Sequence, residues 1–148
     1  STIGGAKKEF IYSGRLDNLC SVYCGLRALI DTTADDSNLA EEESIRLLAV
    51  FDHEEIGSTS TSGARGTLMT DSINRIANAF AASPNIDEVV ERTTQKSYLI
   101  SSDMAHGIHP NYPSKHEKNH GPKFHDGVVI KTNVNQRYAT VSIAHNII

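Results

Sequence analysis

The feature that most constrains this chain is an apolar run that ends abruptly in charge. Ile45-Arg46-Leu47-Leu48-Ala49-Val50-Phe51 carries the bulk of a buried strand, and Asp52, His53, Glu54 and Glu55 follow at once. Ser58 to Gly66 then form a loop of small residues without alternation. Four consecutive ionisable groups therefore stand where a buried strand is expected to end. An isolated buried carboxylate is costly, so two adjacent glutamates at such a place call for a partner. The carboxyl ends of strands are also where α/β sheets bind ligands. One glutamate can hold a cation while the other, its basicity tuned by that cation, moves a proton. The bland alternative is a solvated strand end with two surface glutamates.

Composition narrows the setting. The 148 residues suffice for one domain with a core, at 39% hydrophobic and 22% charged. A net charge of -4 and a pI near 5.9 predict no nucleic-acid footprint. No apolar run reaches membrane-spanning length and no signal-peptide pattern is present, so no membrane partner is expected. Cys20 and Cys24 lie four apart on one helix face, where they cannot easily bridge. They read as buried free thiols of a reducing compartment. The opening on TIGGAKKEF without a methionine, and the ending VSIAHNII, suggest a segment of a longer protein.

Taken in order, Glu9 to Tyr12 is a short strand after the flexible pair Gly4-Gly5. Leu19, Val22, Tyr23, Leu26, Leu29 and Ile30 have the spacing of a helix with a buried face, and Asp17 or Asn18 is placed to cap it. Residues 31–43 form a polar, acidic connection. The strand 45–52 leads into the charged stretch. Leu68, Ile73, Ile76, Ala77 and Phe80 predict a second amphipathic helix, broken at Ser83-Pro84-Asn85. Ile86, Val89 and Val90 suggest a short third helix with Pro84 near its start. Residues 97–102 read as a strand ending on Asp103. Residues 107–126 carry three prolines, and five histidines fall between His106 and His125, which reads as a long loop of the functional or disordered kind. Residues 128–131 are a fourth strand, and a last element begins at Tyr138. The order predicts a three-layer α/β domain with a mostly parallel sheet.

Asp17, Glu54-Glu55 and Asp103 share a setting near predicted strand ends. If the strands are parallel, these carboxylates meet at one edge of the sheet, where they repel one another unless cations are bound. Carboxylates with histidine suit a hydrolytic zinc or manganese centre, and two ions would clamp and activate a water.

The sequence resembles the aspartyl aminopeptidases, di-zinc metallopeptidases. The resemblance rests on TIGGAKKEF, GRLDNL at 14–19, FDHEEIGS at 51–58, SSDMAHGIHPNY at 101–112, KHEKNHGP at 115–122, VVIKTN and QRYAT, and runs along almost the whole chain. It implies a three-layer α/β sandwich of the zinc-exopeptidase (phosphorylase/hydrolase-like) type, with this chain as part of one catalytic domain. It implies two divalent ions per site, zinc first, with manganese or cobalt compatible. Asp17 would bridge the metals, followed by a cis peptide bond. Glu54 would be the general base, and Glu55 and Asp103 metal ligands. Lys131 would pair with an acidic substrate side chain, and Tyr138 would contact substrate near the scissile carbonyl. The implied reaction removes N-terminal Asp or Glu from peptides. The family forms homo-oligomeric shells of twelve subunits, and its members are cytoplasmic or vacuolar.

Two histidine ligands of the family, and its lid and oligomerisation domain, have no counterpart here. The five loop histidines match none of those ligands and are expected to organise structure and subunit contacts. Taken alone, Lys131 reads rather as a strand-edge lysine facing water. Two other readings compete: a two-metal phosphoesterase, and a non-catalytic assembly module of the same fold. The segment by itself is expected to hold an incomplete site.

Overall fold

The computed structural model describes residues 1–35, 39–82, 88–136, 138 and 140–147, and for His145 the backbone alone. The chain divides into two compact units, Ser1–Ser102 and Asp103–Ile148.

The first unit opens with a hairpin. Strand β1 (Thr2–Gly4) pairs antiparallel with β2 (Phe10–Tyr12), with Ile3 opposite Ile11. Gly5, at φ +90°, takes the chain into the connecting turn, where the Lys8 N–H donates to the Gly5 carbonyl at 3.1 Å. Helix α1 (Leu16–Thr33) follows, with Arg15 as its N-cap in the left-handed region and no side-chain capping bond there. The expected cap at Asp17 or Asn18 is not what forms. Those two residues have non-helical dihedrals, and the Asn18 amide donates to the Ser102 carbonyl at 2.9 Å. Gly25 lets residue 48 approach: a Cβ there would stand 3.1 Å from a Leu48 methyl. Helix α2 (Leu68–Ala79) packs against α3 (Val89–Gln95). Ile73, Ile76, Val89 and Val90 are half-buried and Ala77 is buried, as the periodicity predicts, while Leu68 and Phe80 at the two ends of that face lie open. The expected break at Ser83-Pro84-Asn85, Ile86, and Pro84 at the start of α3 fall outside the described residues.

The second unit is mostly irregular. A 3-10 turn spans Pro113–Lys115, an antiparallel bridge joins Asn133 to Tyr138, and a short helix α4 covers Ser142–His145.

The expected parallel sheet is not formed among the described residues. The segments 45–52, 97–102 and 128–131 carry no ladder, and the hairpin is the one sheet. A parallel sheet needs both faces covered. Here Ile45, Leu47, Val50, Leu99, Ile100 and Val128 stay open to solvent, so the burial that would hold such strands together is missing. The same cause corrects two further expectations. No residue of α1 is buried, and Cys20 and Cys24 are free but exposed. Partial desolvation, with the Cys24 thiol beside it, pushes the Cys20 thiol above its ordinary pKa.

Candidate metal centre and substrate contacts

The charged stretch of the first unit is a tied knot of backbone. Glu54–Ile56 form one 3-10 turn, entered through His53 at φ +63° and left through Gly57 at φ +97°. The Gly57 N–H donates to the Glu54 carbonyl at 3.0 Å and the Ser58 N–H to the His53 carbonyl at 2.8 Å. The loop of small residues closes back on it: Asp52 N–H reaches the Ser62 carbonyl at 3.0 Å, and Arg65 N–H the Ser58 carbonyl at 3.2 Å. His53 is held on two sides, its N–H on Asp52 Oδ1 at 3.0 Å and its Nδ1 against Ser60 Oγ at 2.8 Å. Glu54 and Glu55 are therefore exposed carboxylates on a backbone with little freedom.

Asp17, also exposed, sits in the irregular first turn of α1. The Asp17–Asn18 peptide bond is cis, as the resemblance implies at this position. Next to it, Asn18 Oδ1 is a buried acceptor without a hydrogen-bond partner.

In the second unit three of the singled-out residues come together. Lys131, half-buried, donates from Nζ to Asp103 Oδ2 at 3.0 Å and to the Met104 carbonyl at 2.6 Å. The Tyr138 ring lies 5.9 Å from the same ammonium, within cation–π reach. Tyr138 is fixed in turn by backbone bonds with Asn133 of 2.9 and 3.2 Å and by its hydroxyl on Gln136. Thr140 Oγ1 donates to the Lys131 carbonyl at 3.0 Å.

Among the described residues of either unit, no three His, Cys, Asp or Glu side chains gather closely enough to hold an ion. The donor chemistry nevertheless suits one. In each unit by itself the donor types are ones that zinc accepts beside nitrogen ligands: Asp17 and Glu55 carry carboxylates in the first unit and Asp103 in the second. The orphaned Asn18 oxygen next to Asp17 is a polar atom whose burial calls for a partner. Sequence reasoning singled out Asn18 only as a cap candidate and did not mark the Met104 carbonyl, because nothing in composition or spacing shows the contacts they make. Of the loop histidines, His106 and His116 have ring centroids 5.3 Å apart, and His120 Nδ1 meets the Glu117 carboxylate.

Comparison with known proteins identifies the class to which the chain belongs, the zinc metallopeptidases. Residues 1–148 match the family described as aminopeptidase I zinc metalloprotease (M18), and the chain belongs to that family. It is 54% identical over 143 residues to a probable aspartyl aminopeptidase of Ricinus communis, covering 97% of this chain and 28% of that protein. It is 46% identical to the aspartyl aminopeptidase of Aspergillus oryzae, over 96% of this chain and 29% of that one. Among solved structures it resembles yeast aminopeptidase 1, at 35% identity and a TM-score of 0.66, over 82% of this chain and 27% of that one. The chain thus spans under a third of the length of these relatives.

Proposed function

We propose that this chain is the central catalytic segment of a longer aspartyl aminopeptidase, which removes N-terminal Asp or Glu from peptides. What carries the reading is the Glu54–Glu55 turn, two carboxylates on a tied backbone within a chain of the M18 family. Asp17, Glu55 and Asp103 would hold two divalent ions, zinc first, and manganese or cobalt fit the same donors. When bound, the ions make a water acidic and polarise the scissile carbonyl. As the water's oxygen bonds to the scissile carbonyl carbon and the C–N bond breaks, Glu54 would take the water's proton and pass it to the leaving amine. Its exposed position on a fixed turn suits this work, since a general base must reach its proton with little reorganisation. Lys131 sets the preference for an acidic first residue by charge pairing, and Tyr138 contacts the substrate near the scissile bond. The same reading takes in a homo-oligomer and a cytoplasmic enzyme, with the vacuole as the alternative.

The test is hydrolysis of an N-terminal aspartyl reporter peptide by the full-length enzyme and by its Glu54→Gln variant. Loss of a general base lowers kcat by about 10²- to 10⁴-fold with metal content unchanged. Retained turnover in the variant would overturn the assignment of Glu54. Equal cleavage of aspartyl and leucyl peptides would overturn the acidic specificity.

A further inference from the structure

Helix α1 carries two thiols outside the proposed catalytic machinery. Cys20 and Cys24 are both free and exposed. They stand four residues apart, on a stripe of the helix that continues through Arg27 and Asp31. Arg27 donates to Asp31 Oδ1 at 2.7 Å, with the two side chains 52% and 58% exposed, so this stripe is the water side of the helix. The half-buried residues Val22, Gly25 and Leu29 lie on the opposite side. Side chains at i and i+4 of a helix have Cβ atoms about 5–6 Å apart. A disulfide takes about 3.5–4.5 Å between the same atoms, so a direct S–S bond would have to bend the helix. The sulfurs are nevertheless close, since the Cys20 and Cys24 thiols share a hydrogen bond. One atom inserted between them closes the gap and leaves the helix as it is.

We propose that Cys20 and Cys24 form a dithiol site for a trivalent arsenical that carries one organic substituent. Such a compound has two positions to give to sulfur, and its own carbon fills the third, so two thiols complete the site. An arylarsine oxide reacts with both. Two As–S bonds form, the As=O bond breaks, and the oxygen leaves as water with the two thiol protons. Arsenic stays trivalent throughout, so no oxidant or reductant takes part. Once the first thiol has bound, the helix holds the second beside the arsenic. A competing free thiol has to match that effective concentration, and linkage of this kind strengthens binding by about 10²- to 10⁴-fold.

The experiment treats the folded full-length enzyme with phenylarsine oxide in excess glutathione, a monothiol that strips singly bound arsenic, for the parent, Cys20→Ser and Cys24→Ser. Intact mass reads the adduct. Digestion after Arg15 and Arg27 gives one peptide, residues 16–27, that holds both cysteines. The expected result is one phenylarsenic group on that peptide in the parent, and an apparent affinity lower by about 10²- to 10⁴-fold in either serine variant. An unmodified 16–27 peptide in the parent would overturn the site, wherever else arsenic is found. Equal affinity in either variant would overturn the bridge and leave a single reactive thiol. Should a serine variant fail to fold, the parent peptide decides alone. A bridge shows as one phenylarsenic group gained and two hydrogens lost, whereas a single As–S bond keeps a hydroxyl on the arsenic and overturns the proposal.

Discussion

At the scale of single residues, the placement of Glu54 and Glu55 depends on a glycine outside their turn. Gly63 is buried against the turn, and a Cβ added there would stand 2.2 Å from the Ser58 carbonyl oxygen. Ser58 is the residue that closes the turn on His53 and receives Arg65, so the clash falls on backbone that cannot swing aside. Gly63→Ala is expected to destabilise the full-length enzyme by about 1–3 kcal/mol, the usual cost of overpacking, and to lower peptidase activity with it. Gly14→Ala is the control, since a Cβ there meets nothing within 4 Å. Equal melting temperatures for the two variants would show that the loop yields and that the turn is not held as described. The sequence showed Gly57, Gly63 and Gly66 as loop punctuation. It did not show which of them faces a carbonyl, because that is fixed by how the loop folds back.

Among elements, the helices and the short strand at Glu9 to Tyr12 were legible, and the longer strands were not. The 3.6-residue spacing of Leu19 to Ile30 and of Leu68 to Phe80 marks helices that local hydrogen bonds can close without help. A run such as 45–51 has strand character, but a ladder forms only beside a partner, and the apolar run does not contain that partner. The pairing of Lys131 with Asp103 was hidden for a similar reason: both residues were singled out, but 28 positions separate them and no spacing rule joins them. The turn 117–120 is the local counterpart. Glu117 accepts the Asn119 N–H at 2.9 Å and meets His120 Nδ1, while the His120 N–H closes on the Glu117 carbonyl at 3.1 Å. The Asn119 amide, and then His120, hold the Glu117 carboxyl below the ordinary glutamate value. A depressed carboxyl pKa stabilises the turn above the unfolded value, and that contribution is lost as pH falls through the folded one. Carboxyl carbon shifts should titrate with a midpoint below that of an unstructured glutamate, and the Asn119 amide shift should follow the same curve. A midpoint at or above the ordinary value would remove the turn's charge-assisted bonds from the account.

For the whole molecule, the telling observation is how much apolar surface the chain leaves open. Leu19, Tyr23, Leu26 and Ile30 recur on one face of α1 and are 57%, 65%, 47% and 46% exposed. Ala77 is the one buried apolar side chain in the described residues. A continuous apolar face of this kind drives association or is covered by other protein. The 148-residue chain on its own is therefore expected to self-associate, with a light-scattering mass above its 16.1 kDa and a broad thermal transition. A single species of monomer mass with a sharp transition would count against this. Tyr23→Glu tests the same face in two settings. In the isolated chain it removes apolar contact area and should shift the mass toward the monomer. In an enzyme of the relatives' length, where this reading has the face covered, the same change should destabilise, since burying a large apolar side chain is worth about 1.5–3 kcal/mol. Opposite signs from one substitution would establish that the helix carries a face made for the rest of a longer protein. Equal signs would mean that the face stays open to water in both.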